Sequence, residues 1–314
     1  MFEIKTDYLG DLEIIILTNQ NTNEYVTIIP SFGGNICELV LKKGGVLYSI
    51  IDGDKSAKEL IDNCCYRGAK LIPFPNRIKD GRYNFNGNTY QLPINHLQES
   101  HAIHGFIYDK PTNIIRSGAS KQSAFIEMEY IYNGSVEGFP FSFTLIFKYI
   151  LTVVGLDIET KVKNIGKGDM PFGDGWHPYF SLNEHVDDLF IRIPSTKKIV
   201  VDNRMIPAGE LVNDDRFREL AQINNTFFDN GYLIEKQAKA ITQLFSKNKN
   251  LTINIWQESH SDKYNYLQIY TPPSRKSIAI EPMTCSADAF NNYDGLIILA
   301  PEDEFRGLYG VYLS

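Results

Sequence analysis

Three stretches of the chain place titratable side chains where an unpaired charge would be costly. In Ile278-Ala279-Ile280-Glu281-Pro282 an apolar run ends in a glutamate that precedes a proline. The residue before a proline is biased toward extended backbone, so Glu281 reads as a carboxyl at the end of a buried strand. In Gly175-Trp176-His177-Pro178-Tyr179-Phe180 a histidine stands among aromatic faces. The glycine there allows close backbone approach to a ligand, and the proline fixes the next turn. In His101-Ala102-Ile103-His104-Gly105-Phe106 two more imidazoles lie in a glycine-punctuated segment. One carboxyl with His177 and His104 points to proton transfer on a neutral substrate, because apolar surroundings tune both residue types for acid–base work. Trp176 and Tyr179 would add flat apolar faces on which a sugar ring can stack.

Plainer readings stand beside these. Glu281 could be half of an internal salt bridge, and His104 a satisfied structural histidine, a role that suits His101 better still. In Leu71-Ile72-Pro73-Phe74-Pro75-Asn76-Arg77-Ile78, Arg77 with Asn76 beside it would donate to substrate hydroxyls or fix a catalytic carboxylate. The alternative is a surface arginine after a turn. Asp229, before Asn230-Gly231, could accept from two neighbouring hydroxyls as a diol presents them, or simply close an Asx turn. His101-x-x-His104 has the spacing of a metal pair, but no HExxH, Cys/His cluster or Asp-rich loop accompanies it, so no metal is expected. The phosphate-cradling glycine loops and a GxSxG nucleophile turn are also missing.

These groups must be carried by strands. Leu12–Thr18, Glu24–Pro30, Ala124–Tyr132, Ser142–Tyr149 and Gly155–Val162 alternate or are rich in β-branched and aromatic residues. Asn86-Gly87-Asn88 between Arg82–Phe85 and Thr89–Leu92 is a strong hairpin signal. Helical periodicity is confined to Lys55–Asp62 and Asp214–Ile223, and nothing alternates as strand–helix–strand. The expected fold is all-β: one antiparallel domain over residues 1–314, built as a large two-sheet sandwich with a concave face free for a pocket.

Aromatic residues make up 12% of the chain, which suits both strands and a pocket for a flat-faced ligand. A net charge of −7 with no basic tract disfavours nucleic acid. No apolar run reaches membrane-spanning length. Four cysteines, Cys37, Cys64, Cys65 and Cys285, without a CxxC, suit a reducing, cytoplasmic compartment.

Four motifs in order, at sensible separations, resemble the aldose 1-epimerases (mutarotases, the galactose-mutarotase-like group) over nearly the whole chain. They are Asn76-Arg77-Ile78-x-x-Gly81-x-Tyr83-x-Phe85-x-Gly87-x-x-Tyr90-x-Leu92, His104-Gly105-Phe106, His177-Pro178-Tyr179-Phe180, and Glu281-Pro282 with Asp288-Ala289-Phe290-Asn291. The resemblance implies a galactose-mutarotase-like supersandwich without metal or organic cofactor that interconverts the α and β anomers of a free hexose. By position Glu281 looks like the general base and His177 like the general acid. His104 looks like a substrate-binding or transition-state-stabilising histidine, and Arg77 and Asp229 like hydroxyl binders. The expected partner is a small-molecule sugar, with the chain a monomer or homodimer.

Two departures put bulk near the presumed pocket: Phe106 where many galactose mutarotases have glycine, and Trp176 where they have asparagine. Branches acting on hexose 6-phosphates add cations, and Arg67, Lys70 and Lys79 near Arg77 keep that alternative open. A glycosidase-related or non-catalytic sugar-binding sandwich is the other. Glycosidic hydrolysis wants a second carboxyl, for which Asp174 or Asp229 would have to serve.

Overall fold

The computed structural model describes residues 1–62 and 65–314. The molecule is built almost entirely from antiparallel strands. Phe2–Leu9, Leu12–Asn19, Glu24–Ile29, Asn35–Lys43 and Val46–Ser49 form a five-stranded meander in chain order. A nine-stranded sheet runs from Asn113–Ala119 through Ser123–Tyr132, Phe143–Thr152, Gly155–Asn164 and Glu304–Leu313. It continues through Leu251–Ser259, Gln237–Ser246, Phe190–Arg192 and Ala221–Gln222. The six-stranded sheet, Tyr179–Phe180, Ile278–Met283, Tyr266–Tyr270, Asp229–Leu233, Lys197–Val201 and Pro207–Asn213, carries much of the candidate site. The sandwich expected from the sequence therefore has its two large sheets, with the N-terminal meander as a third.

Alternation explains the core. In Phe143–Thr152 every second residue is buried: Phe143, Leu145, Phe147, Tyr149 and Leu151. Each such side chain contributes roughly 1.5–3 kcal/mol relative to leaving it in water. One cluster of buried apolar residues joins all three sheets, including Leu17 and Val26, Phe147 and Val311, and Ile269 and Ile280. Asn86 and Gly87, with φ of 47° and 78°, make the two-residue hairpin loop that their types predict, closing Arg82–Phe85 onto Asn88–Gln91.

The helix expected at Lys55–Asp62 forms over Ala57–Asp62. That expected at Asp214–Ile223 does not form. Its backbone groups bond to neighbouring chain instead, Phe217 O accepting from Ile193 N–H at 2.7 Å and Ile223 N–H donating to Leu189 O at 2.9 Å. Among the described residues, Cys37 and Cys285 are buried free thiols, while Cys64 lies outside them. No helix among the described residues is long and apolar enough to cross a membrane.

Candidate active site

Strand register assembles one wall. Tyr179 pairs with Ala279, Glu281 with Gln268, and Gln268 in turn with Gly231. Directly paired residues share a face and side chains alternate. Tyr179, Glu281, Gln268, Tyr270 and Asp229 therefore face the same way, and all five line a cavity of about 290 Å³. Ile278 and Ile280 turn into the core on the opposite face.

The other wall comes from three short segments. Trp176–His177 pairs with Ala69–Lys70, and Arg77–Ile78 pairs with Ala102–Ile103. Asn76 and His104 both adopt left-handed backbone, with φ of 57° and 62°, and His104 N–H donates to Asn76 O at 2.9 Å. Gly105 must follow, since a Cβ there would lie 2.0 Å from Ile72 O. These turns bring Asn76, Arg77, His104 and His177 into the same cavity as the sheet residues.

The central contact joins His177 and Glu281: Nε2 lies 3.5 Å from Oε1, with both side chains almost wholly buried. The Tyr179 ring stacks on His177 at 5.1 Å, and the His104 ring meets it edge-on at 5.1 Å. Burial lowers the His177 pKa to about 3. Burial first and the neighbouring Asp229 second raise the Glu281 carboxyl well above its usual range, against the pull of Arg77. The sequence suggested an ionised Glu281 beside a protonated His177. Burial favours the neutral form of each, so the pair still holds one proton, placed on the carboxyl.

His104 is held as a neutral donor. Its Nδ1 accepts from Asn76 N–H at 3.2 Å, which leaves hydrogen on Nε2. Burial, then His177 and Arg77, hold its pKa well below the usual value. Arg77 Nε donates to Glu99 Oε2 at 2.8 Å and Nη1 to Asn76 Oδ1 at 3.1 Å, so Asn76 orients the guanidinium. Asp229 Oδ1 accepts from Gln268 Nε2 at 2.8 Å, and burial raises its carboxyl.

Trp176 is not part of this surface. It is fully buried, its ring stacks on Tyr309 at 5.6 Å, and Nε1 donates to Gly68 O at 3.1 Å. On a strand, consecutive residues point to opposite faces, so a histidine aimed at the cavity sends its neighbour into the core. Phe106 likewise packs on Tyr132 and Phe139. The bulk of both departures goes into the core. His101 is fully buried and structural, Nδ1 accepting from Asp80 N–H at 3.0 Å and Nε2 donating to Arg204 O at 3.1 Å.

Glu99, Gln268, Tyr66 and Tyr270 also line the cavity, and sequence reasoning missed them. Gln268 could have been found as a polar residue inside the strand run Leu267–Tyr270. Glu99 sits in a loop without local pattern.

The family model of aldose 1-epimerase matches residues 15–310. The chain belongs to the aldose 1-epimerase family. As a member of it, the protein is an isomerase. YihR of Escherichia coli K12 is 29% identical over 256 residues, 78% of each chain. A probable aldose 1-epimerase of Arthroderma benhamiae is 24% identical over 247 residues, covering 72% of this chain but 54% of its own length. A galactose mutarotase-like protein from Clostridium acetobutylicum superposes with a TM-score of 0.89 at 22% identity, over 100% of this chain and 98% of the other. That likeness shows that this epimerase has the mutarotase-like β fold.

Proposed function

We propose that this epimerase interconverts the α and β anomers of a neutral free hexose, with Glu281 as general base and His177 as general acid. The observation that carries the reading is their 3.5 Å approach in a cavity that also presents a guanidinium, a neutral imidazole donor and further carboxyls. Ring opening takes a proton from the C1 hydroxyl and gives one to the ring oxygen, and closure on the other face of the aldehyde reverses both transfers. A pair holding one transferable proton supplies both steps.

By burial alone that proton sits on Glu281. A sugar hydroxyl donating to Oε2, with Arg77 behind it, stabilises the carboxylate and passes the proton to His177. Each well-placed acid or base is worth roughly 10²–10⁴-fold. His104 Nε2–H steadies charge that develops on oxygen, and Arg77 and Asp229 grip hydroxyls.

Charge favours a free sugar over a hexose 6-phosphate. Arg77 is joined in the cavity lining by the carboxyls of Glu99 and Asp229, and its Nε already serves Glu99. Lys70 is sealed in the core against Asp174, Lys79 lies outside the cavity lining, and Arg67 sits 3.4 Å from Asp54. The Lys70 pair also removes Asp174 from the carboxyls that a glycosidase could use. A small-molecule sugar substrate in a cytoplasmic setting completes the reading.

The test is polarimetry or proton NMR of freshly dissolved pure anomers of glucose, galactose, xylose and glucose 6-phosphate, with and without the protein. Acceleration on a free hexose supports the reading. Acceleration confined to the phosphate ester, or release of reducing ends from oligosaccharides without anomerisation, would overturn it.

A further inference from the structure

A charged pair that the chemistry does not use lies in the core. Lys70 and Asp174 have side chains at 0% exposure, with Nζ 2.7 Å from Oδ1. All three ammonium hydrogens are spoken for: Nζ donates to Asp174 Oδ2 at 2.9 Å, Thr160 Oγ1 at 2.9 Å and Tyr309 OH at 2.8 Å. Tyr264 OH donates to Asp174 Oδ2 at 2.6 Å. Such a pair is poor evidence of stability, because apolar isosteres in its place are often neutral or stabilising. Its directional bonds fix geometry instead.

The pair lies where the three segments bearing the acid–base machinery meet. Asp174 precedes His177 by three residues in Asp174-Gly175-Trp176-His177. Its N–H donates to Thr284 Oγ1 and its carbonyl accepts from Thr284 N–H, both at 2.9 Å, and Thr284 follows Glu281 by three residues. Lys70 pairs across the short ladder with Trp176, and the next residue, Leu71, donates its N–H to Gly175 O at 2.9 Å. From there the chain runs through Pro75, against which Gly175 packs so closely that a Cβ would lie 2.9 Å from Pro75 Cβ, to Asn76 and Arg77. Thr160 and Tyr309 anchor the junction to the nine-stranded sheet.

We propose that the Lys70–Asp174 ion pair is the positioning element of the active site, holding His177 and Glu281 at their working separation. This rests on the acid–base reading of those two residues. Proton transfer is steep in geometry, and a misplacement of about 1 Å can cost on the order of 10²-fold.

The deciding variant is Lys70→Met with Asp174→Leu, which replaces the pair by apolar groups and leaves no buried charge alone. Thermal melting, kcat and KM for a pure hexose anomer, and the ring nitrogen NMR shifts of His177, identified by their loss in His177→Gln, are read together. Folding is expected to survive, with KM within about threefold, kcat lower by on the order of 10²-fold and the His177 signals displaced. A folded double variant with kcat within about twofold of the parent and unmoved His177 signals would reduce the pair to core filler. If the double variant does not fold, Tyr309→Phe and Thr160→Val decide, each deleting one oxygen from around Nζ. Lower kcat at parental KM supports positioning, and unchanged kcat in both overturns it. Should the parent anomerise no aldose, the acid–base reading falls, and the His177 shifts alone settle whether the pair positions the imidazole.

Discussion

His177 Nε2 and Glu281 Oε1 approach to 3.5 Å, while the remaining atoms of the two groups, Nδ1 and Oε2, have no hydrogen-bond partner among the described residues. Buried polar atoms are rarely left so, and those that are cluster where a ligand or a reaction completes them. A sugar presenting the C1 hydroxyl and the ring oxygen to this pair would supply partners of the right kind. Glu281→Gln keeps the shape and removes the base. It should leave KM within a few-fold and lower kcat by roughly 10²–10⁴-fold. His177→Asn should do the same. Steady-state polarimetry checks both, and near-normal turnover in Glu281→Gln would remove the proposed base.

The pH dependence follows from the proton count. Below about 3, where burial has moved His177, the pair takes up a second proton. Above the raised Glu281 value it loses its only one. Between those limits it is competent, so kcat/KM should be bell-shaped with both limbs belonging to the pair. The acid limb should fall far below the ordinary imidazole value of about 6.5. Rates corrected for spontaneous mutarotation, taken from pH 3 upward, measure it. A limb near the ordinary value would mean that His177 titrates as an exposed imidazole, contrary to its burial.

His104 gives a prediction of a different kind. Asn76 N–H fixes its tautomer and burial keeps it neutral, so the role proposed for it is a hydrogen bond from Nε2 with no proton transferred. Removing one such preorganised donor, as in His104→Phe, should lower kcat/KM by on the order of 10²-fold. His104→Gln can still donate and should recover part of the loss. Neither substitution should move the acid limb of the profile. A shift of that limb in His104→Gln would instead make His104 one of the titrating groups.

Much of this was legible in the sequence, and its limits have physical causes. Glu281 and His177 announced themselves because a titratable residue inside an apolar, proline-bounded run is expensive and hence informative. The hairpin at Asn86-Gly87 was legible because left-handed backbone selects those residue types. Asp214–Ile223 misled because a short polar stretch with a few apolar residues fits a helix as well as the turn and two-residue strand it forms. Trp176 misled because adjacency in sequence to a site residue means, on a strand, the opposite face. Glu99 was invisible because its role depends on Arg77 reaching it across 22 residues, a pairing that no local pattern encodes.

The ion pair between Arg77 and Glu99 yields the test of substrate charge. Arg77 Nε meets Glu99 Oε2 at 2.8 Å at the edge of the cavity, with 10% and 22% of the two side chains exposed. Glu99→Gln removes one negative charge and leaves the guanidinium without its carboxylate. Opposite charges about 4 Å apart interact by roughly 4 kcal/mol at the intermediate dielectric of such a site, and partial exposure reduces this. The ratio of kcat/KM for glucose 6-phosphate to that for glucose should therefore rise by roughly tenfold. Arg77→Gln should lower kcat/KM for both sugars, since a hydroxyl donor is lost either way. Parallel assays of the two substrates give the ratio directly. If it does not move in Glu99→Gln, the acidic rim does not discriminate between the two substrates.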